Sequence, residues 1–81
     1  MTEGATLRVI MERKGVSLRR VAGLAEISTA QVHNAMHDKD ITARTLKSIV
    51  TEGLEMPMSE FWDFLERETA REERKSRKAA A

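Results

Sequence analysis

The sequence predicts an all-α domain of five short helices, and three observations predict it. Apolar residues recur at helical spacings, as in Met58, Phe61, Trp62 and Leu65. Strand signals are missing: no sustained two-residue alternation occurs, and no Asn-Gly or Asp-Gly hairpin. Helix-capping residues punctuate the chain at intervals that suit short helices. The 81 residues suffice for one domain with a small core. Residues 1–66 form that domain, and 67–81 form a charged tail that either extends the last helix or frays.

Each element has a local cause. Leu7, Ile10, Met11 and Lys14 make the first stripe, and Gly15 followed by Val16 reads as a left-handed helix stop. Ser17 caps a second helix whose inner face is Leu18, Val21, Ala22 and Ala25. Ser28 with Gln31 makes a capping box, S-x-x-Q. It opens a third helix, Thr29 to His37, with Val32, Ala35 and Met36 inward. After the loop DKDI, Thr42 caps a fourth helix carrying Leu46, Ile49 and Val50, with Gly53 near its end. Pro57 suits the first position of a fifth helix.

The charge is unevenly placed. From Leu7 to Lys47 eight basic residues stand against four acidic ones. From Ser48 to Glu66 there are five acids and no base. A basic front with an acidic back is what an anion-binding surface needs, although charge runs also simply solvate helix faces. Cysteine is absent, which excludes disulfides and thiolate chemistry and suits a cytoplasmic setting. No apolar run approaches the roughly 18 residues of a membrane span, and the start MTEGATLRVI lacks signal-peptide character.

Helices two and three are joined almost directly, and a turn that tight sets the second of them out on the surface. Counting Leu18 as position one, apolar residues fall at positions four, eight, ten, fifteen and eighteen: Val21, Ala25, Ile27, Val32 and Ala35. Small Ala22 stands at position five. The stretches GVSLRRVAGLAEIS, STAQVHNA, TLKSIVTEGL and PMSEFW carry a resemblance. Over about Leu7 to Leu65 the chain resembles the lambda-repressor-like (Cro-type, xenobiotic-response-element) helix-turn-helix regulators. The chain departs from that pattern at position nine, where Glu26 replaces the usual Gly. It departs again at position one, where Leu18 replaces a frequent Gln. A non-Gly residue at position nine has to adopt the turn conformation at some cost.

The resemblance implies double-stranded DNA as partner and repression in a bacterial or phage setting at the nucleoid, while the aromatic surplus of the fifth helix points to a homodimer. The third helix then lies in the major groove. Its outward residues, Thr29, Ala30, His33, Asn34 and His37, are the expected base readers. Asn pairs with adenine, and Thr or Ala touches a thymine methyl. The expected phosphate contacts are Ser17, Arg19, Arg20, Gln31, Lys39, Arg44 and Lys47. Gln31, Ser17 and Ser28 have an alternative role as caps, and a cation at His37 also complements the helix dipole.

Three further readings follow from the residues. His33 and His37 stand i,i+4, a metal-compatible spacing that Asp38 or Asp40 could complete. With no Cys, no third His and no intervening Glu, the expectation is no metal and no cofactor. No nucleophile elbow, phosphate-binding glycine loop or paired-carboxylate pocket occurs, so no enzyme is expected. The three aromatics cluster in FWDF. Phe61 belongs to the core, while Trp62, Phe64 and Leu65 are expected at a dimer interface, with loose cover of a short core as the alternative. A protein-interaction module that binds a toxin or another regulator through this helix is the competing function. The basic run RKSRK could touch phosphate or form a solvated end.

Overall fold

The computed structural model describes residues 1–39 and 41–80, with side chains described up to residue 77 apart from Asp40. Asp40, as a candidate metal ligand and part of the DKDI loop, and the Lys78 side chain of the basic run lie outside the described residues. Among the described residues the chain is all-helical, five helices in one globule. They are α1 (Glu3–Lys14), α2 (Leu18–Ala25), α3 (Thr29–Met36), α4 (Ala43–Ser48) and α5 (Met58–Ala80). No described helix is long and apolar enough to cross a membrane.

The local signals act as expected at three helix starts and one stop, and Thr2 caps the first helix in the same way, which the sequence reading did not single out. Thr2, Ser17, Ser28 and Thr42 each accept a hydrogen bond from the backbone N–H three residues on. Gly15 takes the left-handed conformation, φ 66°, and Val16 N–H closes on Met11 O at 3.1 Å. That pair of features is the Schellman ending that Gly15 and Val16 predicted.

Three other bends use the same left-handed conformation without a glycine. Glu26, Asp38 and Glu55 all have positive φ, at 57°, 58° and 54°. The fourth helix does not stay α-helical to Gly53; it widens into a π turn over Ile49–Gly53, with Leu54 N–H reaching Ile49 O at 2.8 Å. In the same turn the Thr51 hydroxyl donates to Lys47 O at 2.7 Å. Gly53 ends that turn, near the end of the segment as expected. It sits where a Cβ would come within 2.7 Å of Val21 Cγ1, so the absent side chain lets α2 pack against the π turn. Pro57 precedes α5 rather than starting it, and its carbonyl accepts from Phe61 N–H at 3.2 Å. The missing proline N–H is harmless at either position.

The core is Leu7, Ile10 and Met11 of α1, Val21 and Ala22 of α2, Val32 and Ala35 of α3, Leu46 of α4, then Ile49, Val50, Leu54, Met56 and Phe61. Phe61 is the largest fully buried side chain. Lys14, assigned to the first stripe by spacing, is exposed. The α5 stripe is also rotated from the one expected. Trp62 remains 40% exposed, whereas Phe64 and Leu65 pack partly buried against the core. The reason lies on α1: the Arg13 guanidinium stacks 5.0 Å over the Phe64 ring and reaches Glu68 at 3.4 Å. Phe61, Phe64, Leu65 and Glu68 therefore form the face turned to α1. Beyond Glu68 the charged segment continues as helix to Ala80.

Glu26 holds a left-handed backbone without the freedom of glycine. Glu26→Gly is expected to raise unfolding free energy by about 1 kcal/mol, read from urea denaturation of the two proteins.

Candidate nucleic-acid interface

The candidate surface is built on the α2–α3 pair. Ser17 opens α2, its Oγ accepting from Arg20 N–H at 3.1 Å. This bond uses an acceptor lone pair and leaves the hydroxyl proton free to donate. Arg19 and Arg20 follow in the first turn, both exposed. At the other end, Glu26 N–H bonds Gly23 O at 3.4 Å and Ile27 N–H bonds Ala22 O at 3.1 Å. The residues from Glu26 to Ser28 make the whole connection to α3.

Ser28 and Gln31 form both halves of the capping box. Ser28 Oγ accepts from Gln31 N–H at 3.1 Å, and Gln31 Oε1 accepts from Ser28 N–H at 2.9 Å. The Gln31 oxygen is thus engaged, and its amide NH₂ is left to meet an acceptor such as phosphate. Val32 and Ala35 bury the inner face, with Met36 beside them. The outer face has two rows. Thr29, His33 and His37 make one and are exposed; exposed Ala30 and half-buried Asn34 make the other. The His33 and His37 rings lie 4.5 Å apart, tilted by 48°.

Helix α3 touches α1, α2 and α4. Arg44 and Lys47 are exposed on α4, and Lys39 is exposed just after α3. Thr42 holds the start of α4, accepting from Thr45 N–H at 3.1 Å. Among the described residues, neither ion pair involves Arg19, Arg20, Lys39, Arg44 or Lys47. The residues expected to read bases therefore share one helix face, and all three helices that touch α3 carry exposed cations. No group of three metal-binding side chains occurs among the described residues.

The α5 residues form a separate surface. Trp62 packs edge-on to Phe61, ring centroids 5.2 Å apart, and lines a shallow groove of about 500 Å³ with Ile41, Ala43, Leu46, Lys47 and Met58. Phe64 and Leu65 are largely used within the chain. Leu24 on α2 is 40% exposed, an apolar surface that helical spacing did not single out.

Sequence reading also missed the role of Asp38. Its carboxylate accepts from the Thr2 hydroxyl at 2.7 Å and from Gly4 N–H at 2.9 Å. These bonds, the Thr2 one foremost, hold its pKa below the ordinary carboxylate value. Partial burial opposes them, and the charges of Arg8 and His37 add smaller contributions in the lowering direction. The partners lie more than thirty residues away in sequence, so no local motif announced them.

Among known proteins, no family model matches the chain and no curated sequence matches it.

A carboxylate with a lowered folded pKa stabilises fully above the unfolded pKa of about 4 and loses that contribution as pH falls through the folded value. The stability gap between the wild type and Asp38→Ala should therefore be widest near pH 7. It should close progressively below about pH 4, as urea midpoints taken across that range would record.

Proposed function

We propose that this chain is a small sequence-specific DNA-binding transcriptional regulator, a repressor that occupies an inverted-repeat operator as a dimer. The observation that carries this reading is the outer face of α3, mostly polar and exposed, on a helix packed against α2 and α4, which carry exposed cations. A helix of eight residues with Thr29, Ala30, His33 and Asn34 outward fits a major groove about 12 Å wide. Asn34 offers a bidentate amide for adenine, and Thr29 and Ala30 offer methyl groups for thymine. His33 and His37 can donate to a guanine N7 or a phosphate. Arg19, Arg20, Lys39, Arg44 and Lys47 supply the sequence-independent attraction, with Ser17 and Gln31 as neutral donors.

In a dimer, two α3 helices would sit about 34 Å apart on one face of the duplex. Trp62 is the aromatic with surface to spare for that contact, with Leu65 and Phe64 supporting it from within. The same exposed Trp62 favours a second reading, a module that binds a protein partner such as a toxin, with DNA secondary. The chain works without a cofactor and without catalysis in either reading, inside a cell and at its nucleoid in the first.

Selection of bound sites from a random duplex pool tests the main reading directly. A recovered inverted repeat supports it, and no retained duplex at low salt overturns it. Two measurements assign the residues. Arg19→Ala and Arg20→Ala should each weaken all duplexes alike and reduce the slope of log K against log salt by about 1. Asn34→Ala should cost about 1–3 kcal/mol on the selected site, with discrimination relaxed at one base pair and the salt slope kept.

A further inference from the structure

Asp38 stands at the junction of two helices that are distant in sequence. It follows α3 in the left-handed conformation, φ 58°. Its N–H returns to Ala35 O at 3.1 Å, and Lys39 N–H returns to Asn34 O at 2.7 Å, which closes the end of α3. Its side chain then leaves α3 altogether. One carboxylate oxygen accepts from Gly4 N–H and the other from the Thr2 hydroxyl, at 2.9 and 2.7 Å.

Gly4 N–H is one of the orphan donors that every helix start exposes. Thr2 satisfies Ala5 N–H from within α1, at 3.1 Å, and Asp38 satisfies Gly4 from another helix. The charges suit this arrangement. The positive start of α1 meets the negative end of α3, with a carboxylate between them. The fit is also steric: a Cβ on Gly4 would lie 2.6 Å from Ala35 O and 2.8 Å from Met36 O. Backbone contact and two hydrogen bonds thus hold the last turn of α3 at one place on α1. That turn carries Asn34 and precedes His37, two of the outward residues.

We propose that Asp38 is a positioning residue for DNA reading: by clamping the end of α3 to the start of α1 it sets sequence discrimination rather than general affinity. This rests on the DNA-binding reading above. As a bare charge beside a phosphate surface, Asp38 would oppose binding to every duplex equally. A clamp has a different signature, because it acts through the pose of Asn34 and His37.

Two variants separate charge from geometry. Asp38→Asn removes the charge, keeps a side chain of the same length with an oxygen for Gly4 N–H, and tolerates left-handed backbone. Asp38→Glu keeps the charge and moves the carboxylate by a methylene. Binding of the selected duplex and of an unrelated duplex is measured by fluorescence anisotropy on each protein, with circular dichroism confirming the fold. The clamp predicts that Asp38→Asn keeps the ratio of the two affinities while both rise together. It predicts that Asp38→Glu lowers that ratio by about tenfold, the scale of one misread base pair, with the salt slope unchanged. If Asp38→Glu keeps the wild-type ratio, Asp38 is not a positioning residue, and the proposal falls while the DNA reading stands. If the wild type itself prefers no duplex, the DNA reading falls and the proposal with it. The Gly4 amide proton gives a check independent of DNA: its exchange with solvent should quicken in Asp38→Glu and stay slow in Asp38→Asn.

Discussion

The architecture depends on backbones approaching each other where no side chain stands between them. This happens at Gly4, which meets the last carbonyls of α3, and at Gly53, which meets Val21 of α2. A chain with only three aromatics has little bulk with which to fill space between distant helices. It fills the space by bringing the helices together, and Ala22, Ala25 and Ala35 serve the same end on their own faces. The result places α3 against α1 and α2 through small residues, leaving its polar side outward. A helix seated this closely has few ways to shift without a clash, which suits a surface that must present several side chains in a fixed relation.

Helix ends carry much of the remaining specification. Three bends use acidic residues in left-handed backbone: Glu26, Asp38 and Glu55. An acid near the end of a helix faces a negative dipole and is unfavourable there. Asp38 avoids this by turning its carboxylate onto the positive start of α1. Glu26 and Glu55 are exposed, where water screens the same repulsion. Arg13 performs a comparable service between α1 and α5. Its guanidinium covers Phe64 and meets Glu68, so one long side chain ties apolar and charged parts of α5 to the same helix.

Features governed by neighbours in sequence were legible. Ser28 and Gln31 are three residues apart, and their mutual bonds depend on little else, so the start of α3 could be read directly. Gly15 with Val16 was legible for the same reason. The phase of α5 was not. Two overlapping series, Met58-Phe61-Trp62-Leu65 and Phe61-Phe64-Leu65-Glu68, have the same spacing, and only the position of α1 and Arg13 chooses between them. Asp38 lies in the loop after α3 as the sequence suggests, but its bonds to Thr2 and Gly4 enter only through the fold. Gly53 near the end of the fourth helix was legible, but its contact with Val21 was not, because α2 comes against it only through the fold. For the candidate site, the outward register of Thr29, Ala30, His33 and His37 followed from helical periodicity. Half-burial of Asn34 depends on the neighbouring helices and did not. Periodicity identifies an exposed face without identifying what meets it.

The π turn at Ile49–Gly53 has a geometric consequence. A π turn holds one residue more than an α turn, and one residue of helix corresponds to roughly 100° of rotation. This turn lies between the half of the chain that carries α3 and the helix that carries Trp62. It therefore works as an angular offset between the two surfaces. Were two copies to meet through Trp62, the direction in which each α3 faces the other would be encoded partly here, in residues that touch neither partner.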